Sequence, residues 1–273
     1  VTAHKNPVQR QLDAAVLAAV MALVNALPER RPLVLGLCGA QGSGKSTLAA
    51  AVVDAARARG LAAATLSLDD LYLTRAERAV LAREVHPLLA TRGVPGTHDV
   101  GLGLDLLARI DAGETVRLPR FDKAADDRAP EAEWTTVPGP LDLLVFEGWC
   151  LGAVAEDASA LVDPVNALEA SEDADARWRR WVNAQLAGAY AGLFARIDAI
   201  VLLAAPGFEV VFDWRLEQER SGAGAMDAPQ VARFIQHYER LTRHVLAEMP
   251  GRADLLIRMD RDRTPIKIVN RSS

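Results

Sequence analysis

Residues 33–47 read LVLGLCGAQGSGKST, and this stretch decides the fold. Leu33 to Leu37 is a short apolar run entered through Pro32, the pattern of a strand buried on both faces of a parallel sheet. Gly39 to Ser46 matches G-x-x-x-x-G-K-[ST]. Glycines at these places let the backbone curl so that several N–H groups point inward at phosphate oxygens. The helix-forming stretch from Thr47 to Arg59, closed by Gly60, adds its positive N-terminal end. Lys45 brings a mobile charge for the β- and γ-phosphates, and Ser46 a hydroxyl for Mg²⁺. Gly39, Ala40, Gln41, Gly42, Ser43, Gly44, Lys45, Ser46 and Thr47 are therefore the candidate nucleotide-binding residues. A Gly-rich turn can match the pattern by chance; a strand before it and a helix after it supply the context that makes it a phosphate loop. The motif specifies a nucleotide and leaves the reaction open.

Working outward, Leu12, Val16, Ala19 and Leu23 fall at helical spacing and predict a helix over 9–26. Further strands are expected at Ala63 to Leu68, Leu141 to Phe146, Ile197 to Ala204 and Asp254 to Met259, with helices over 174–196, 209–220 and 229–248. Alternating strands and helices predict an α/β fold: a P-loop NTPase-type parallel sheet flanked by helices. The ligand site of such a sheet lies beyond the carboxyl ends of its strands. The expected organisation is one domain over 1–273, with an acceptor-side insertion at about 85–140 and a lid at about 207–230.

At 273 residues and 50% hydrophobic content the chain can bury a large core. A net charge of -5 makes it a poor general binder of polyanions, so no nucleic-acid partner is expected. Its apolar runs are too short for a membrane span, and VTAHKNPVQR lacks a signal-peptide pattern. A cytoplasmic protein is the expectation; the oligomeric state stays open. Cys38 and Cys150 stand in apolar stretches without a CxxC pattern, which predicts buried reduced thiols and no zinc or redox site.

Carboxylates follow the expected strands. Asp69 and Asp70 come directly after the second, and Glu147 closes the third. An isolated Asp-Asp is ordinarily a helix cap or a solvated turn. Its place beside a phosphate loop favours chemistry instead: Asp69 as a catalytic base and Asp70 as a metal or supporting group. Glu147 stands where an acid would hold Mg²⁺ together with Ser46, although it could simply mark the strand's exit into solvent. The span 86–128 is dense in polar groups, and a loop of that length is functional or disordered. Arg92, Arg120, Lys123 and Arg128 are candidates to hold an anionic group of the acceptor, with His98 and Asp99 orienting its hydroxyls. Each could equally anchor the loop. Arg215, with Arg220 second, is the candidate lid cation for the transferring phosphoryl group; Arg215 and Glu219 also stand four apart, the spacing of a surface helix pair.

Together GAQGSGKST, SLDDLYLT, HPLLATRGVPGTHD, LPRFDKAADDR, LLVFEGW, VNALEASEDADARWRRWVN and FDWRLEQE resemble the D-glycerate 3-kinase family of P-loop kinases. That group is related to uridine kinase, phosphoribulokinase and bacterial pantothenate kinase. The resemblance runs from about Leu33 to RMDRDRTPI (258–266) and implies ATP and Mg²⁺ as cofactors and a small acceptor, glycerate, as partner. By similarity Asp69 takes the place of the catalytic Asp. Tyr72 falls in the DDLY motif, where Leu71 replaces the usual aromatic. His98, Asp99 and Arg120 to Arg128 fall where relatives hold their acceptor. The lid EQERSGAGAMDAP departs from the family pattern. A kinase of a nucleoside, pantothenate or a sugar phosphate is the alternative within the class. A regulatory ATPase without an acceptor is the alternative outside it; no N-K-x-D guanine-reading motif supports a GTPase.

Overall fold

The computed structural model describes residues 13–28, 32–221 and 226–271. Along the chain run α1 (Ala14–Ala26), β1 (Leu33–Gly39), α2 (Lys45–Arg57), β2 (Ala63–Ser67), α3 (Arg75–Glu84), α4 (Val100–Asp111), β3 (Val116–Leu118), β4 (Phe121–Asp122), β5 (Asp127–Arg128) and β6 (Thr135–Val137). Then follow β7 (Leu143–Gly148), α5 (Ala167–Glu172), α6 (Arg177–Gln185), α7 (Ala191–Phe194), β8 (Ala199–Ala204), α8 (Glu209–Ser221), α9 (Ala228–Glu248), β9 (Leu255–Met259) and β10 (Pro265–Asn270).

The main sheet has six strands in the order β10-β9-β8-β1-β7-β2. All neighbours are parallel except β10, which pairs antiparallel with β9. The expected parallel sheet is present and carries this antiparallel edge in addition. β1 is central and wholly buried, as its apolar run requires. Its alternate residues feed two cores. Val34 and Cys38 pack toward α4, α7 and α9, while Leu33, Leu35 and Leu37 pack toward α1 and α2. Both cysteines are free, and burial pushes the Cys38 thiol up to about 12 and Cys150 well above its usual value. No described helix is long and apolar enough to cross a membrane.

The expected helix over 9–26 is present from Ala14; residues 9–12 lie outside the described residues. The expected loop at 85–140 holds more regular structure than its composition suggests. Asp99 caps α4 there, its Oδ1 accepting from Leu102 N at 2.9 Å. Gly103, a poor helix former, lets α4 approach closely: a Cβ at that position would stand 3.0 Å from Leu71 and 3.1 Å from Leu193. Two antiparallel ribbons follow, β3 with β6 and β4 with β5. α3, for which no expectation was made, opens on a capping box between Thr74 and Glu77.

Buried ion pairs hold the segment between β7 and α6. Glu169, with no exposed surface, accepts from Arg240 Nε at 2.8 Å and Nη2 at 2.7 Å. The same guanidinium donates to the carbonyls of Ala160 (2.8 Å) and Asp163 (2.6 Å). Removing one partner leaves the other charge buried and uncompensated. Arg240→Met is therefore expected to lower unfolding free energy by about 3–5 kcal/mol in urea titration. Replacing Glu169 with Leu in the same chain should restore much of that loss.

Candidate active site

The carboxyl ends of β1, β2 and β7 bring the motif residues together. Gly42 and Gly44 of the phosphate loop have φ of +74° and +91°, the left-handed region that glycine enters without strain. Gly44 immediately precedes α2, so helix geometry begins at Lys45 and the loop's amides continue into a helix N-terminus. A Cβ on Gly42 would stand 2.8 Å from Trp214 Cβ, while at Gly44 it would enter open space. The side-chain oxygens of Gln41 and Ser43 are buried without a hydrogen-bond partner among the described residues.

Glu147 is the hub between loop and sheet. Parallel pairing aligns Ser67 with Glu147. Glu147 Oε1 accepts from Ser67 Oγ at 2.8 Å and from Ser46 Oγ at 3.2 Å. Its Oε2 stands 4.0 Å from Lys45 Nζ and has no hydrogen bond. Ser67 carried no expectation, although its place at a strand end beside the two aspartates was a usable signal.

Asp69 and Asp70 lie on a 3₁₀ turn that extends β2. Asp69 Oδ1 accepts from the Tyr72 hydroxyl at 2.9 Å, and Oδ2 pairs with Lys123 Nζ at 2.6 Å. Burial alone would raise the Asp69 carboxyl. The charges of Lys123 and Lys45 and the hydrogen bonds from Lys123 and Tyr72 outweigh it and hold the group well below the usual carboxylate range. Asp70 engages the same segment through its backbone: its Oδ1 accepts from Phe121 N on β4 at 3.0 Å, and burial raises its pKa. Asp69, Asp70 and Glu147 do not form a set whose oxygens all lie within 4.8 Å of one another. Ser46 and Glu147 meet; Asp70 ties β4 to the site.

The acceptor-side candidates gather around Tyr72 and Phe121. The Tyr72 ring stacks on His98 at 4.5 Å and meets Phe121 edge-on at 5.1 Å. Burial, then the neighbouring Asp69 charge, push the Tyr72 hydroxyl far above its usual pKa, so it keeps its proton and donates. Arg128 Nη2 donates to Tyr72 O at 3.0 Å and to Asp99 Oδ2 at 3.2 Å. Arg92 pairs with Asp126 and lies over the Phe121 ring. Arg120 is exposed and serves through its carbonyl, which accepts from Ala129 N. Arg78, unforeseen from the sequence and 1% exposed, donates to the carbonyls of Leu73, Ala90 and Asp126 and binds the insertion to β2's exit.

The helical part of the expected lid is packed scaffold. Trp214 is buried in the core beside the phosphate loop, and its Nε1 donates to Arg261 O at 2.8 Å. Arg215 makes the helix pair with Glu219 that its spacing allows, and its guanidinium lies over Phe234. Arg220 is exposed. Residues 222–225 of the expected hinge lie outside the described residues. An open cleft of about 760 Å³ runs along the loop between α8 and the β9–β10 turn, lined by Thr47, Trp214, Gln218 and Arg263 among others. Arg263 closes one wall: Nε donates to Gly42 O at 2.6 Å, Nη1 to Glu217 at 2.6 Å, and its plane lies over Trp214. Nothing in the sequence singled it out.

A profile of the Phosphoribulokinase / Uridine kinase family matches residues 34–183, the span that holds the loop, both aspartates and Glu147. The chain belongs to this family. The uncharacterized kinase mug58 of Schizosaccharomyces pombe is 36% identical over 77% of this chain and 80% of its own length. The chloroplastic D-glycerate 3-kinase of Arabidopsis thaliana is 33% identical over 86% of this chain, which spans only 54% of that protein. Among solved structures, D-glycerate 3-kinase from Cryptococcus neoformans superposes with a TM-score of 0.76 at 26% identity, covering 94% of this chain and 98% of that one. This member of the phosphoribulokinase/uridine kinase family is an ATP-dependent phosphotransferase acting on a hydroxyl acceptor.

Two buried histidines give the kinase an acid limit. Burial pushes His98 down to about 3 and His237 down to about 4, so both are neutral when folded at neutral pH. Unfolded, each binds a proton near pH 6.5. The unfolded state therefore holds more protons below that pH, and the stability these rings contribute is full above it and lost as pH falls toward their folded values. Between pH 7 and pH 5 unfolding free energy should drop by on the order of 3 kcal/mol. Urea titrations at the two pH values measure this, and a His237→Gln chain should show about half the drop.

Proposed function

We propose that this kinase moves the γ-phosphoryl group of ATP onto a hydroxyl of D-glycerate. The observation that carries this reading is Lys123 Nζ at 2.6 Å from Asp69 Oδ2: a base candidate with a half-exposed ammonium beside it suits a small acceptor that carries both a hydroxyl and a negative charge. The D-glycerate 3-kinases among the chain's relatives support it. A nucleoside is favoured less, because the Tyr72 ring is buried between His98 and Phe121 and offers little free face for a base.

In this reading the loop amides and Lys45 hold the ATP phosphates, and the cleft beside Trp214 and Arg263 takes the nucleoside end. Ser46 and Glu147 would hold Mg²⁺. Their hard oxygens suit that ion, and the buried, unpartnered Glu147 Oε2 is a ready ligand. When bound, the ion neutralises charge on the β- and γ-phosphates. Asp69 accepts the proton of the acceptor hydroxyl. That oxygen bonds to the γ-phosphorus as the bond to the bridging oxygen breaks, and ADP leaves with the electron pair. Lys123 would meet the acceptor carboxylate, while Arg92 and Arg128 are engaged by Asp126 and Asp99. Arg215 would have to exchange Glu219 for the transferring group.

The test is ADP release from Mg-ATP with D-glycerate, L-glycerate, uridine, pantothenate or ribulose 5-phosphate added in turn. Stimulation by D-glycerate alone, with phosphoglycerate formed, is the expected result. Stimulation by another compound replaces the acceptor, and release indifferent to all of them favours an ATPase without an acceptor.

A further inference from the structure

Tyr190 is fully buried and stands at the end of a π-helical segment, Leu186–Tyr190, in which Gly188 has non-helical φ and ψ of -102° and -109°. π segments inside helices are frequent at functional sites. The Tyr190 hydroxyl lies among the backbone N–H groups of Gly96 and His98 and the His98 ring. Gly96 N donates to it at 2.8 Å, and His98 Nδ1 lies 2.6 Å away. An amide N–H can only donate, so the Gly96 contact uses a lone pair of the hydroxyl. If His98 Nδ1 also carried a proton, the Tyr190 O–H would be buried without an acceptor, an arrangement folded proteins avoid. If the hydroxyl donates to Nδ1, Tyr190 is satisfied at every contact. Nδ1 is then bare, and the ring's one proton resides on Nε2.

His98 Nε2 is buried and has no hydrogen-bond partner among the described residues. Its ring lies against Tyr72, whose hydroxyl holds Asp69. We propose that Tyr190 is a positioning residue of the acceptor site: by donating to His98 Nδ1 it fixes the proton on Nε2 and the ring's orientation, so that His98 offers an N–H to an oxygen of the acceptor. This rests on the acceptor site proposed above. The ligand atom it selects is a lone-pair oxygen, from a hydroxyl or a carboxylate, and a donor N–H of a competing ligand would meet another donor. Burial pushes His98 down to about 3, so its role as a one-proton donor does not change across the physiological range.

The experiment is long-range ¹H–¹⁵N correlation on the imidazoles of the full chain, free of ligand, with His98 assigned by its absence in His98→Gln. The expected spectrum shows a protonated Nε2 and a hydrogen-bonded, unprotonated Nδ1, and Tyr190→Phe should shift the Nδ1 signal. A protonated Nδ1 in the unsubstituted protein, or no shift in Tyr190→Phe, overturns the proposal. This arm needs no acceptor, so it stands or fails whether or not glycerate is the substrate. With D-glycerate as probe, Tyr190→Phe should raise the acceptor KM about tenfold, the worth of one hydrogen bond, and leave the ATP KM unchanged. His98→Gln, whose amide can reach the Nε2 position, should keep more activity than His98→Asn, which reaches only Nδ1. Equal acceptor KM in the Gln, Asn and unsubstituted proteins would remove the donor role even if the tautomer is as expected.

Discussion

Replacing Lys45 with methionine is expected to lower kcat/KM by about 10³-fold or more while the chain stays folded. Methionine keeps the apolar stem and removes only the ammonium. That ammonium stands 4.0 Å from Glu147 Oε2, on the first residue of α2, where the left-handed Gly44 delivers it to the strand ends. Phosphoryl transfer depends on positioning and on neutralising the equatorial oxygens, and removal of one such charge from a water-poor site costs two to five orders of magnitude. Steady-state kinetics give the loss, and thermal melting separates it from unfolding. Turnover within about tenfold of the unsubstituted enzyme would show that the loop does not hold the reacting phosphates.

Asp69→Asn is expected to slow kcat by about 10²–10⁴-fold and to leave nucleotide affinity nearly unchanged. Asparagine keeps the shape and can still accept from Tyr72, but it cannot take up the hydroxyl proton and it loses the Lys123 ion pair. Asp70→Asn is the control. Its oxygen is engaged by Phe121 N on β4, so its effect should be smaller and should fall on stability and acceptor KM. Fluorescent ADP binding, measured beside kcat for both variants, checks the prediction. If Asp70→Asn is the slower enzyme, the two aspartates exchange roles.

The parts legible in the sequence were those with a short-range cause. The phosphate loop needs glycines and a lysine at fixed offsets, and the buried strands need uninterrupted apolar runs; β1, β2, β7, β8 and β9 fall where those patterns lie. β10 escaped because an edge strand buries little, and its PIKIVN has an exposed Ile266 and Lys267. α4 escaped because Gly101 and Gly103 dilute its helical signal, although tight packing on Leu71 and Leu193 is what Gly103 permits. The candidate site divides in the same way. Lys45, Ser46, Asp69 and Glu147 stood in local motifs at strand ends. Tyr190, Arg78 and Arg263 act through contacts to distant segments, which no local pattern carries. The Arg215–Glu219 pairing shows the converse: four-residue spacing on a helix offered it as one alternative, although as a surface pair, whereas the structure largely buries both side chains.

The guanidinium of Arg263 meets the Gly42 carbonyl across 221 positions of sequence. On a ribosome the phosphate loop emerges early, whereas the turn that grips it emerges only after every parallel strand of the sheet has been made. A nascent chain halted before residue 260 would therefore present the whole nucleotide motif without this clamp.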